Sequence, residues 1–303
     1  MIDLLHLFSS NLLPIILVAG IGFALQKRIG IDPRPISQIV FYALSPALVF
    51  SLLISTEISV NELMQMVALA MINIIIVAIL CFGIGRVRKL EAPLLSAFII
   101  TSSFMNAGNY GLPLSRLALG ESGLAWASIY FVTSAMMVNS LGVYVASVGK
   151  QSPFNALLGL LKVPSVYAIP LALIIRSNGI ELPMWISQPV EMMGSGSIPI
   201  MLIVLGIQIG RLNTFNHKGL LSQAVLLRLI ISPLVAWLIS PLFSLNAIAR
   251  DAAFLEAGMP SAVFSMVIAT KFDIESEFVT SALVATTLIS PFTVTALLVV
   301  LGV

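Results

Sequence analysis

The sequence predicts an all-α polytopic membrane protein, built from ten transmembrane helices as two inverted sets of five, with helices 4 and 9 broken and both termini outside. Three observations carry this: the composition, the distribution of lysine and arginine, and two helix-breaking segments at corresponding places in the two halves. Of 303 residues, 59% are hydrophobic and only 9% charged, with a mean hydropathy of +1.08. A soluble domain carries about 25% charged residues, so no water-soluble core calls for this composition. The apolar runs are long and continuous, unlike the alternating stretches of a transmembrane barrel.

Runs of about 20 apolar residues mark the spans. Ten are read at 10–26, 36–55, 63–85, 93–118, 122–147, 163–177, 184–208, 219–243, 250–270 and 278–301. The first and second are separated by a loop with Lys27, Arg28 and Arg34, and the third and fourth by Arg86, Arg88 and Lys89. The fifth ends at a polar link, 149–162, with Lys150 and Lys162. The sixth is short; a start near Phe154 would enclose Lys162, which is instead read as reaching to the interface. Arg211 and Lys218 separate the seventh and eighth spans, and Lys271 follows the ninth. With the N-terminus outside, the cytoplasmic loops hold 11 basic residues and the outward loops only 3 (Arg116, Arg176 and Arg250), as the positive-inside rule requires. The opening Met-Ile-Asp-Leu-Leu-His has no basic region, so the first apolar run is not expected to be a cleaved signal.

Five spans, a link and five more imply a second copy entering from the opposite side, an inverted repeat. The halves are 1–148 and 163–303. Ser45-Pro46-Ala-Leu-Val-Phe in the second span echoes Ile198-Pro199-Ile-Met-Leu-Ile in the seventh, and Asn106-Ala-Gly108 echoes Glu256-Ala-Gly258.

Residues 104–113, Phe-Met-Asn-Ala-Gly-Asn-Tyr-Gly-Leu-Pro, lie inside the fourth span, and Glu256-Ala-Gly-Met-Pro-Ser261 inside the ninth. Glycine and proline disfavour helix by about 1 and 3 kcal/mol relative to alanine. Non-helical backbone at membrane depth survives only against protein or a watery cavity. Paired breaks in two halves point to a transporter's binding site. A half-helix start offers N–H groups to an anion, and a half-helix end offers C=O groups to a cation. Asn106 and Asn109 add donors and acceptors, Tyr110 a ring and hydroxyl, Gly108, Gly258 and Ser261 close backbone, and Pro113 and Pro260 turns that cannot close. The plainer reading of each break is a packing kink; its recurrence in equivalent places favours a site.

Three ionisable residues fall inside spans: Glu191, Arg228 and Glu256. Such residues are costly there and face a bundle interior or cavity. Glu256 adjoins the second break as a coupling carboxylate or cation ligand, or else as a structural partner of Arg228. Arg228 either attracts an anion or holds a helix in register, and Glu191, near a span end, reads as structural. Gly206 and Gly210 mark a close helix contact, within or between chains. HExxH, Walker A and GxSxG motifs are missing, the four aspartates avoid span centres, and two histidines and one cysteine (Cys81) support no metal site or internal disulfide. No TVGYG-like filter is present. No enzyme activity, cofactor or nucleic-acid partner is expected.

The two breaks, Asn106-Ala-Gly-Asn-Tyr-Gly-Leu-Pro113 and Ala257-Gly-Met-Pro-Ser-Ala262, together with ten spans in two fives, resemble the auxin efflux carrier family over essentially the whole chain. The short central link is similar to that of bacterial members, which include malonate and malate permeases. The resemblance implies a bile-acid-symporter-like fold, with spans 1, 2, 6 and 7 as scaffold and spans 3–5 and 8–10 as transport domain. Helices 4 and 9 would cross at Pro113 and Pro260. It further implies a substrate-contacting asparagine at Asn109 or Asn106, homodimers, elevator motion and a bacterial inner-membrane location. Glu256 departs from the plant carriers and leaves coupling to protons or sodium open. The expected function is secondary transport of a small organic anion, a carboxylate, across the bilayer. The alternatives are a cation-coupled carrier using Glu256 and a receptor that binds without transport.

Overall fold

The computed structural model describes residues 11–147, 154, 158–210 and 218–303. The opening residues, the part of the central link holding Lys150, and the loop with Arg211 and His217 lie outside the described residues.

Helix α1 (Leu13–Ile29) stops at Gly30, which takes the left-handed conformation that closes a helix end. Helix α2 (Pro33–Ser55) follows. A capping box, with Ser59 and Glu62 exchanging side-chain and backbone bonds, starts α3 (Val60–Val87). Helix α4 (Ala92–Ser103) is cut short by the first break. Helix α5 (Ala107–Ala146) is continuous in hydrogen bonding, but Gly120 (φ 69°, ψ −165°) divides it into the two segments that the sequence separates as the end of span 4 and span 5. Then come α6 (Ser165–Ser177), α7 (Met184–Gly210) and α8 (Gly219–Leu242). The Asn246 side chain caps α9 (Ala247–Ala257) by accepting from the Ala249 N–H at 2.8 Å. Beyond the second break lie α10 (Phe264–Phe272) and α11 (Ser276–Leu301). Lys162 is exposed in a single 3₁₀ turn ahead of α6, outside the helix.

The chain is all-helical among the described residues, with no strand beyond one isolated bridge. Among the described residues six helices, α2, α3, α5, α7, α8 and α11, are long and apolar enough to cross a membrane. The sequence expects ten spans. The remainder fall short for local reasons: the breaks cut α4, α9 and α10, while α1 and α6 have 17 and 13 residues.

Three of the widened π turns, Val40–Leu44, Ala107–Gly111 and Leu227–Ile231, each end two residues before a proline (Pro46, Pro113 and Pro233). Proline lacks the N–H for the carbonyl four residues back, and its ring presses on that carbonyl. An added residue in the turn relieves both without ending the helix.

Helices α1, α2, α6 and α7 pack on one another, and α3, α4, α5, α8, α9 and α11 form a second group. Helix α5 touches both groups. The α1–α7 contact is backbone against backbone: a Cβ on Gly206 would lie 1.8 Å from the Ala19 oxygen, and one on Gly22 2.1 Å from that of Ile203. The small-residue signal in α7 thus serves a contact within the chain.

Candidate functional site: two paired helix breaks

Helix α4 ends at Ser103 and α9 at Ala257, and the chain beyond each leaves the helical conformation. The two breaks lie side by side. Met105 and Ser261 form an antiparallel bridge, in which Asn106 N–H donates to the Pro260 oxygen (2.7 Å) and Ala262 N–H to the Phe104 oxygen (2.9 Å). Segments about 150 residues apart thereby satisfy each other's backbone, as buried polar groups must. The first break is narrower than the sequence expects. Only 104–106 leaves the helix; the widened turn Ala107–Gly111 resumes it and absorbs Pro113, so Pro113 lies inside α5. Pro260, by contrast, stands in the second break itself, which spans 258–263.

The last carbonyls of a helix have no partner within it. Here the last four of α4, and Ala257 at the end of α9, each accept from another element. Ile100 and Thr101 accept from the hydroxyls of Ser265 (3.3 Å) and Ser261 (2.7 Å). Ser102 and Ser103 accept from Arg228 Nη1 at 3.1 and 2.9 Å, and Ala257 accepts from Arg228 Nη2. Arg228 is fully buried and lies in the widened turn of α8. Its Nη2 also donates to the Ser232 hydroxyl, to which Asn73 of α3 donates (3.3 Å); Asn73 donates to the Tyr130 hydroxyl of α5 as well (2.9 Å). Glu256 is not its partner: among the described residues the ion pair is Arg116–Glu121 (2.9 Å).

The amide side differs. Tyr110 and Gly111 donate to the Asn106 oxygen, but the N–H groups of Ala107, Gly108 and Asn109 make no hydrogen bond to the described protein. Asn106 is 6% exposed, and its Nδ2 has no partner. Gly108 and Asn109 are partly exposed, Gly108 lies against the Phe131 ring, and the buried Tyr110 hydroxyl faces Ser290 of α11. On the second break, the Gly258 N–H closes α9 onto Phe254 and Leu255, and the Ser261 N–H donates to Thr286 (3.1 Å).

Glu256 is fully buried beside this turn. Its Oε1 accepts from Ser115 (3.4 Å), and Oε2 has no partner. A Cβ on Gly111 would lie 2.2 Å from Oε2, so a side chain there would have to displace the carboxylate. The structure therefore brings together Asn106, Gly108, Asn109, Tyr110, Arg228, Glu256, Gly258, Pro260 and Ser261. It does not bring Glu191 among them. That residue is exposed on the wall of a cavity of about 320 Å³ between α2, α5 and α7, near Arg116 and Glu121. Sequence reasoning missed Asn73, Gly111, Ser115 and Ser232. The first is a polar residue in an otherwise apolar run, and the second a glycine within the motif itself.

An all-helical chain with several helices long and apolar enough to cross a bilayer is a membrane protein in architecture. Comparison with known proteins makes this specific: the model of the membrane transport protein family, the auxin-efflux-carrier type, matches residues 7–153 and 150–298, and the chain belongs to that family. It is similar to an uncharacterized transporter of Methanocaldococcus jannaschii, at 26% identity over 84% of this chain and 85% of that one. An uncharacterized transporter of Methanothermobacter thermautotrophicus is 26% identical over 93% and 94% of the two chains. The uncharacterized transporter YfdV of Escherichia coli is 23% identical over 97% and 96%. The chain is accordingly a multi-span transporter in a lipid bilayer and not an enzyme.

Proposed function

We propose that this chain is a secondary carrier for a small organic anion, a carboxylate, which it holds at the paired breaks. The observation that carries the reading is the contrast between the two helix polarities at one place. The carbonyl ends of α4 and α9 are filled, while three successive N–H groups, of Ala107, Gly108 and Asn109, stand free beside the unpartnered Asn106 amide. Free donors at a helix start favour an anion, and a carboxylate has about four lone-pair sites to receive them. Asn109 and the Tyr110 hydroxyl would set its orientation, and Arg228 adds positive potential from behind.

The wider architecture is part of the same proposal. Ten spans in two inverted fives, with both termini outside, are proposed from the repeat and the basic residues of the loops; counting each broken helix with its other half supports the number ten. The grouping of α1, α2, α6 and α7 apart from the remaining helices supports a scaffold and a moving transport domain. Alternating access would then be an elevator displacement of the second group, in a homodimer held by the first, in a bacterial inner membrane.

The test is uptake and counterflow in proteoliposomes with a panel of mono- and dicarboxylates, with pH, sodium and voltage varied separately. Saturable flux of one acid class, lost in Asn109→Ala, is expected. Binding without flux would make the protein a receptor instead. A second reading is favoured by Glu256, whose buried carboxyl keeps one oxygen free beside the site: proton-coupled transport. In that case Glu256→Gln removes the dependence of flux on a pH gradient while leaving counterflow intact.

A further inference from the structure

We propose that Arg116 is a switchable clasp between the two helix groups: Glu121 holds it while the cavity of about 320 Å³ between α2, α5 and α7 is open, and it passes to Glu191 of α7 when that cavity closes. The inference rests on the carrier reading above, in which the two groups move past each other. The cavity lies on their boundary. Two of its walls are α2 and α7, packed so closely that a Cβ on Gly194 would stand 3.0 Å from the Ser51 hydroxyl. On α7 the lining residues Ser187, Val190, Glu191 and Gly194 recur every three or four positions, so one helical face is turned to the cavity. The third wall is α5, and both arms of its bend take part: Arg116 lies before Gly120, and Glu121 and Leu124 after it.

Gly120 has φ 69° and ψ −165°, a conformation all but confined to glycine, and no neighbouring atom lies within 4 Å of where its side chain would stand. What spans the bend is the ion pair from Arg116 Nε to Glu121 Oε1 (2.9 Å). Three charges thus line one cavity, and only one of the two carboxylates is paired. Glu191, on the opposite wall, has no ion-pair partner among the described residues. Solvation accounts for the exposure of Glu191 but not for its place on the wall across from the guanidinium. The pair that now holds Arg116 is weak: its side chains are 43% and 64% exposed, and exposed ion pairs contribute little. A guanidinium has five donors, so a second carboxylate can engage it before the first lets go. Two arrangements close in free energy are what a shift of population requires, and a few residues at a bend can absorb the change in backbone.

The test uses the purified full chain in detergent, with Cys81→Ala, so that the cysteine placed on the cavity wall by Ser187→Cys is the sole thiol. If Cys81→Ala does not fold, the native Cys81 is left in place, since it is fully buried. The rate of modification by an uncharged, bulky maleimide reports how open the cavity is. Glu121→Gln releases Arg116 to Glu191 and is expected to slow modification about 2- to 5-fold, the scale of one exposed ion pair. Glu191→Gln alone should not slow it. Adding Glu191→Gln to Glu121→Gln should return the rate to that of the parent or above, because the clasp has lost its second partner. Removing a carboxylate would by charge alone favour the reactive thiolate, so local electrostatics predicts the opposite sign for Glu121→Gln. An unchanged or faster rate in Glu121→Gln overturns the inference, as does a slower rate in Glu191→Gln or a double variant that stays slow. Failure to find a transported acid in the uptake assay would undo the carrier reading and leave these labelling rates unchanged.

Discussion

On the carbonyl side of the paired breaks, every oxygen from Ile100 to Phe104, and that of Ala257, holds a donor from another element. On the amide side, only a few residues along the same chain, three consecutive N–H groups hold none. Both sides are products of one event, the interruption of a helix, and both would be equally expensive to leave dry. That one is completed by the protein and the other left open is the contrast on which the proposed anion site rests.

The contrast can be broken most severely from the carbonyl side. Arg228→Met strands three carbonyls, and a loss of about 1–3 kcal/mol for each is expected, read as a shifted midpoint in denaturant titrations of the detergent-solubilised protein. On the amide side, Asn106→Ala should leave the melting temperature near that of wild type yet weaken carboxylate uptake roughly 10- to 100-fold, the value of one hydrogen bond to a charged group. Equal damage to folding by both substitutions would erase the contrast. Gly111→Ala drives a methyl into the Glu256 carboxylate, and a loss of about 1–3 kcal/mol is expected. The double variant with Glu256→Ala should recover most of it, because the pair is in contact and not additive; an additive result would place the strain elsewhere. Ser115→Ala removes a long 3.4 Å bond to Glu256 and should cost under about 1 kcal/mol, with any change in the pH dependence of uptake reporting on the carboxyl.

Much of the helical layout is legible in the sequence because bilayer thickness forces long apolar runs, and the bounds of α2, α3, α7, α8 and α11 fall within a few residues of those runs. The breaks are legible too, since glycine, asparagine and proline have few reasons to sit in such runs. Their extent is not. Whether 104–113 is open throughout depends on how the turn before Pro113 is widened; proline calls for the extra residue, but how soon the helix resumes depends also on packing against α7, α9 and Phe131, which no local pattern marks. The pairing of Arg228 was equally out of reach. Charge complementarity within the membrane points to Glu256, whereas the guanidinium finds backbone carbonyls, groups that every residue carries and no sequence pattern marks. Glu191 shows the reverse limit: a carboxylate inside a predicted span that the fold turns toward a distant cavity.

The contact between α1 and α7 has a mechanical consequence. Where Gly22 and Gly206 bring two backbones together, there is no layer of side chains to repack and hence nothing to act as a bearing. The two helices are keyed like splines on a shaft, and relative travel between them would require main-chain atoms to pass through one another. Under the proposed elevator reading, any stroke would be measured from this pair, which would serve as the fixed rail of the machine.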